Sequence, residues 1–162
     1  MNKLTITFLF VFIFSNSLIA QLVVGENASV TVAENASVTV AGLEINPNSD
    51  MVISGPNSID RNLTSVSING AESMARHYTI SDNLSSYTGT IVYNYADEDM
   101  NGISHFAALQ VLDSPDGMWM NYADEDEVDN SVTHYFENAI EIHSVTANDA
   151  TLSIETVDGE MT

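Results

Sequence analysis

Two identical octapeptides stand in tandem near the start of this chain, Glu26-Asn27-Ala28-Ser29-Val30-Thr31-Val32-Ala33 and Glu34-Asn35-Ala36-Ser37-Val38-Thr39-Val40-Ala41. Each joins a polar, turn-forming stretch to an alternating Val-Thr-Val. Side chains on a β-strand alternate between faces, so both valines of a unit share one face and the threonine takes the other. Such a unit reads as a very short strand. Weaker echoes come at Leu43-Glu44-Ile45 and Met51-Val52-Ile53, separated by Asn46-Pro47-Asn48-Ser49-Asp50, and Ser54-Gly55-Pro56-Asn57 closes the series with a turn. The spacing predicts a ladder of short strands over residues 21–57, either a few solenoid-like rungs or a tight meander. So few units cannot bury a core of their own, and the ladder is expected to stack on the strands C-terminal to it.

Beyond it, longer alternating runs separated by turn signals predict strands at Ser65–Ile68, Arg76–Ile80, Tyr87–Tyr95, Phe106–Leu112, Met118–Tyr122, Ser131–Phe136, Ile140–Thr146 and Thr151–Val157. Ser114-Pro115-Asp116-Gly117 places Pro and Gly where a hairpin turn needs them. No stretch sustains a 3.6-residue apolar period. The expected fold class is all-β, an antiparallel β-sandwich over residues 58–162 preceded by the repeat ladder. More than one substantial helix in residues 21–162 would contradict it.

The first twenty residues stand apart. Lys3 precedes an apolar run, Leu4 to Phe14, and a polar-to-small segment ending at Ala20. That is the layout of a cleavable signal peptide. The run is too short to cross a bilayer as a helix, and no later segment is long and apolar enough either. A small outer-membrane barrel is not expected, because it would need an outward apolar face with aromatic girdles on every strand. Export removes Lys3 and leaves Arg61 and Arg76 against all 23 acidic side chains, one unit more negative than the whole chain's −20. A polyanion of this kind finds no partner in nucleic acid or an anionic membrane surface. The chain has no cysteine, so its core must hold without disulfides.

Two identical acidic hexapeptides carry the candidate chemistry, Asn94-Tyr95-Ala96-Asp97-Glu98-Asp99 and Asn121-Tyr122-Ala123-Asp124-Glu125-Asp126. The first continues as Met100-Asn101-Gly102, so Asp97, Asp99 and Asn101 alternate as hard oxygen ligands ahead of a glycine, like the opening of a calcium loop. Ala108 stands where an EF-hand needs its bidentate Glu, which rules out an EF-hand and leaves a calcium-binding β-loop. The second continues as Glu127-Val128-Asp129, crowding carboxylates whose repulsion a divalent cation would relieve, with Asp124, Asp126 and Asp129 as candidate ligands. The alternative is a solvated acidic loop. His77, His105, His134 and His143 form no metal-ligand pair in sequence, and His77 and His134 read as structural or exposed. Trp119 and Tyr122, with Tyr93, Tyr95 and Tyr135 on neighbouring strands, could form a stacking platform for sugars, although ordinary sheet packing uses aromatics equally. Asn27, Asn35, Asn62 and Asn83 head N-x-S/T sequons that matter only in a glycosylating host. No nucleophile elbow, phosphate loop or dinucleotide fingerprint is present.

The Ala-Ser-Val-Thr-Val units, Leu43-Glu44-Ile45-Asn46-Pro47, Ile53-Ser54-Gly55-Pro56-Asn57 and Gly89-Thr90-Ile91-Val92-Tyr93-Asn94-Tyr95 together resemble secreted surface proteins of the Bacteroidetes. The resemblance spans most of residues 21–147. It implies a β-rich, adhesin-like module of an exported protein, often carried by the type IX secretion route. The chain departs from that pattern in having no recognisable C-terminal sorting domain before Thr162. The expected function is therefore a secreted, non-enzymatic adhesion or structural module, possible calcium (Ca2+) stabilisation included, with other surface proteins or extracellular glycans as partners. A carbohydrate-binding module using Trp119 and Tyr122 is the alternative, and a secreted hydrolase ranks third.

Overall fold

The computed structural model describes residues 21–104, 106–124 and 130–149. The expected signal peptide (residues 1–20), His105, most of the second acidic run and the expected strand Thr151–Val157 lie outside the described residues. Within them the chain forms twelve strands, every pairing antiparallel, and one single-turn 3-10 helix, Asp97–Asp99. The all-β, sandwich-like class expected from the alternation is what the chain adopts.

The repeats are arranged differently from a ladder. Strands β1 (Gln21–Val24), β2 (Ser29–Val32) and β3 (Val38–Val40) form one arm of a long hairpin. The chain reverses at Ala41-Gly42, both with positive φ, and returns as β4 (Leu43–Pro47), β5 (Met51–Ser54) and β6 (Asn57–Asn62). β3 pairs with β4, β2 with β5 and β1 with β6, so the pairings nest. The octapeptides therefore do not stack on one another; they are successive segments of one arm. Their polar halves make matching turns, Ala28 N–H to Gly25 C=O and Ala36 N–H to Ala33 C=O, with Asn27 and Asn35 at φ 59° and 60°. Each turn kinks the arm and returns it to the pairing line. Two copies offer no third rung to cover an apolar face, whereas the Leu-Glu-Ile and Met-Val-Ile segments supply equally alternating partners for both.

A second ribbon is built from two very long strands, β9 (His77–Asn94), which comes after the short hairpin β7 (Ser67–Ile68) and β8 (Ala71–Glu72), and β12 (Ser131–Asp149). Each replaces two expected strands. The polar stretches Ser81–Ser86 and Glu137–Ala139 read as turns in sequence but are absorbed as irregularities within the strands. The β9–β12 register shifts three times between Phe136 and Ser144, and Asn83 and Ser86 have positive φ. Bulges of this kind bend a strand and increase its twist. The bend is large: Tyr78 and Tyr93 are fifteen residues apart, about 50 Å along a straight strand, yet their rings meet edge to face at 5.9 Å. The ribbon thus folds its own two halves face to face, as strands do where they pass from one sheet of a sandwich to the other.

On β9 the hairpin supplies β6 beside the first half (Ile59 opposite Ile80) and β4 beside the second (Leu43 opposite Tyr93). On the far half of β12 lie β10 (Ala107–Leu112) and then β11 (Trp119–Tyr122). One continuous core results, and it contains Val24, Val40, Leu43, Ile45 and Ile53 of the hairpin together with Tyr78, Tyr93, Leu109, Val132 and Val145 of the rest.

Gly89 fixes where β9 meets β4. Its φ is +131°, and a Cβ there would run into the backbone of Asn46, Pro47 and Asn48. Gly89→Ala is expected to lower stability by roughly 2–4 kcal/mol through overpacking and backbone strain, measured by denaturant unfolding. A change below about 0.5 kcal/mol, ordinary for surface substitutions, would contradict this close approach.

Candidate functional site

The first acidic hexapeptide leads from the end of β9 into the 3-10 turn. Asn94 ends the strand, Tyr95 is buried, and Asp97, Glu98 and Asp99 form the turn itself. Asn101 and Gly102 then adopt positive φ values of 51° and 82° and reverse the chain. The loop is held by Arg76, which immediately precedes β9. Its Nη2 lies 2.6 Å from Asp99 Oδ2 and donates to the Asn94 carbonyl at 2.7 Å. The two side chains are only 9% and 12% exposed, which makes this a buried ion pair. Asp99 Oδ2 also accepts the Ala96 N–H at 2.8 Å, and the Asp99 carbonyl accepts the Ala75 N–H at 2.7 Å. The guanidinium carbon sits 5.7 Å from the centre of the Tyr93 ring, within cation–π range.

The three alternating oxygen-bearing residues point to three different partners. Asp99 faces Arg76, Asp97 Oδ1 accepts the Asn130 amide at 2.9 Å, and Asn101 donates its amide to the Ser73 carbonyl at 2.9 Å. A cation placed between them would compete with Arg76 for Asp99. In the second hexapeptide, Asp124 Oδ1 accepts the Thr133 N–H at 2.9 Å, while Asp126 and Asp129 lie outside the described residues. Among the described residues, no three His, Asp or Glu side chains are gathered as a metal site. Each described histidine is tied through Nδ1 to an oxygen, of Thr64 for His77, Ala123 for His134 and Asn83 for His143.

The aromatic residues are dispersed. Trp119 stands opposite Leu112 and Tyr122 opposite Leu109, three positions apart on β11 and hence on opposite faces. Tyr122 packs edge-on against Phe136 at 4.8 Å and beside His134 at 5.0 Å. Tyr93 and Tyr95 are in the core, and the exposed Tyr135 accepts a hydrogen bond from Asn48. Trp119 and Tyr122 therefore do not make one platform.

Arg76 does not stand out in its local sequence, yet a signal exists. In a chain with two arginines and 23 acidic side chains, an arginine flanked by alternating apolar residues has abundant carboxylates to recruit. Comparison with protein-family models, curated proteins and solved structures found no match.

This arrangement has two measurable consequences. Removing one partner of a buried ion pair leaves the other charged and desolvated, at a cost of about 3–5 kcal/mol. Arg76→Met and Asp99→Asn should each destabilise on that scale, and the double variant should lose at least about 1 kcal/mol less than their sum. Additive losses in denaturant unfolding would contradict the coupling. The second consequence concerns alkali. Burial pushes the hydroxyls of Tyr87 and Tyr93 well above the ordinary tyrosine value, with Arg76 partly offsetting this at Tyr93. Burial raises Tyr78 and Tyr122 as well. The folded state then keeps protons that the unfolded state releases. Its stability is fully present below about pH 10 and falls as pH rises beyond that. Ionisation of Tyr78, Tyr87, Tyr93 and Tyr122 should come together with loss of near-ultraviolet dichroism; titration of these four near pH 10 in the intact fold would contradict it.

Proposed function

We propose that this protein is an exported, non-enzymatic β-module of the Bacteroidetes surface-protein type, acting in adhesion or as a structural spacer outside the cell. The observation that carries the reading is the use made of its polar groups. The Arg76–Asp99 pair, Asn101, Asp124 and the described histidines all bind internal oxygens or amides, and so brace loops against strands. Gln21, the first residue after the expected cleavage, is already in register with Asp60 at the sheet edge, so removal of the leader leaves the pairing whole. The acidic surface suits a secreted polyanion whose partners are other surface proteins.

Calcium enters this reading as a competitor for Asp99. A midpoint of thermal unfolding raised by millimolar calcium in the wild type and unchanged in Asp99→Asn would assign the ion to the first loop. A rise in both would assign it to the second acidic run. The carbohydrate reading rests on Trp119 alone, since Tyr122 faces the core side.

Expression with the native leader should deliver to the medium a protein beginning at Gln21. That protein should give no specific signal on a glycan array. Retention in the cell with the leader intact would defeat the export reading. A specific glycan signal abolished by Trp119→Ala would replace adhesion to proteins with carbohydrate binding.

A further inference from the structure

The hairpin and the second ribbon do not stay zipped along their whole length. Asn48 N–H bonds the Thr88 carbonyl, and Asn57 closes the other end with its side chain, donating to the Asp82 carbonyl and accepting the Asp82 N–H, both at 3.1 Å. Between these two points the arms part. β5 leaves to pair with β2 in a separate two-stranded sheet, and β9 runs through its bulge at Asn83–Ser86. The result is an elongated slot between β5 and β9, made of two adjoining cavities of about 240 and 180 Å3 that share Val52 and Ser85.

One wall of this slot is an open strand edge. The Gly55 N–H bonds the Ala28 carbonyl, which makes that residue pair a hydrogen-bonded one. Alternation along the antiparallel register then directs the main-chain groups of Ile53 and Met51 to β2, and those of Val52 and Ser54 to the slot. Val52 is also 56% exposed, an apolar side chain at the centre of a polar trough. Asp50 lines one end and Asp82 the other. An edge carrying main-chain donors and acceptors is the template for strand addition.

We propose that this slot takes an extended, basic segment of a partner protein, which adds as a strand along the open edge of β5. Carboxylates at both ends, in a chain of net charge −20, select cationic side chains. The same charge disfavours a second copy of this chain, whose like-charged surface would have to approach closely. Among the described residues no exposed aromatic ring lines the slot to stack a sugar, Tyr87 being buried. The inference deepens the adhesion reading by naming the class of partner, and rests on that reading only for the partner being a protein.

The test uses a capped octapeptide alternating threonine and lysine, titrated into the isotope-labelled protein and followed by backbone amide shifts. The expected result is perturbation centred on Val52, Ser54 and Asn83–Ser86. A peptide of identical charge with every backbone nitrogen methylated, unable to pair as a strand through either edge, should bind at least tenfold more weakly. Asp82→Asn should weaken binding several-fold, and Val52→Pro, which removes a slot-facing N–H outside the β2 pairing, should weaken it at least tenfold. Both variants are first checked for an unchanged melting midpoint, and Asp82→Asn stands alone if the proline variant does not fold. Equal affinity for the N-methylated peptide would reduce the contact to charge attraction and overturn the proposal. Shifts elsewhere, or none, would overturn it too. Shifts at the same amides with cellohexaose but not with the peptide would make the slot a glycan site. Surface adhesion that persists in Asp82→Asn after peptide binding is lost counts against the slot alone, leaving the adhesion reading in place.

Discussion

The Arg76–Asp99 ion pair sits where several separate chain segments meet. Through the guanidinium, Arg76 holds the end of β9 at Asn94 and the acidic loop at Asp99. Through its carbonyl it accepts the hydroxyls of Tyr93 and Thr146, the latter on β12. The tip of the hairpin is fitted to the same cluster. Tyr78 donates to the Ala41 carbonyl, and a Cβ at Gly42 would lie 3.0 Å from the Asn94 carbonyl and the Tyr78 hydroxyl and 3.3 Å from Arg76 Nη1. Pulling two charges out of water is expensive, and only short contacts with further hydrogen bonds make up for it. Asp99 meets that condition. Arg76 meets it except at Nε, which has no partner. Both short contacts come from one nitrogen, Nη2, while the planar group lies close to the Tyr93 ring, an aromatic contact that an ammonium makes less well.

The clamp closes a structure that bending makes possible. A straight β9–β12 ribbon would expose one apolar face along its full length. The bulges between Phe136 and Ser144 curl it until Tyr78 reaches Tyr93, so the ribbon covers itself. The hairpin has to match this curve, and it does so in pieces, with β6 on the first half of β9 and β4 on the second. Its middle piece cannot match the bulged part of β9 and turns to β2 instead. Curvature and the slot are thus two consequences of the same irregularity. Asn57, whose side-chain amide satisfies both main-chain groups of Asp82, ends the mismatch on one side by standing in for a strand residue.

Strand content was legible in the sequence because period-two alternation is local, as in Thr90-Ile91-Val92-Tyr93. The number of strands was not. Ser81-Asp82-Asn83 and Glu137-Asn138-Ala139 have the composition of turns, and whether such residues reverse a chain or bulge it is decided by the partner strand. The repeats misled for a related reason: identity between neighbouring segments suggests that they stack, yet their nearest partners proved to be the non-identical segments returning from Gly42. At the candidate site, the loop was legible from Asn101-Gly102, whose positive φ values match their residue types. The use of Asp99 was not, because Arg76 lies on the far side of β9. The opposite facing of Trp119 and Tyr122 was readable in principle, since an odd spacing on a strand separates faces.

The distribution of charge ties these points together. One of the chain's two arginines is buried on Asp99, so its charge is neutralised internally and contributes little to the surface field. What a partner meets is therefore even more one-sided than the composition suggests: clustered carboxylates with Arg61 as the remaining arginine. Such a surface keeps copies of the chain apart, which matters for a protein that leaves a strand edge open. An uncharged β-protein with the same exposed edge at Val52 would be prone to pair with itself. Here repulsion takes the place of the lysines or prolines that guard edge strands elsewhere, and it acts selectively, because the field that repels a copy attracts a basic segment.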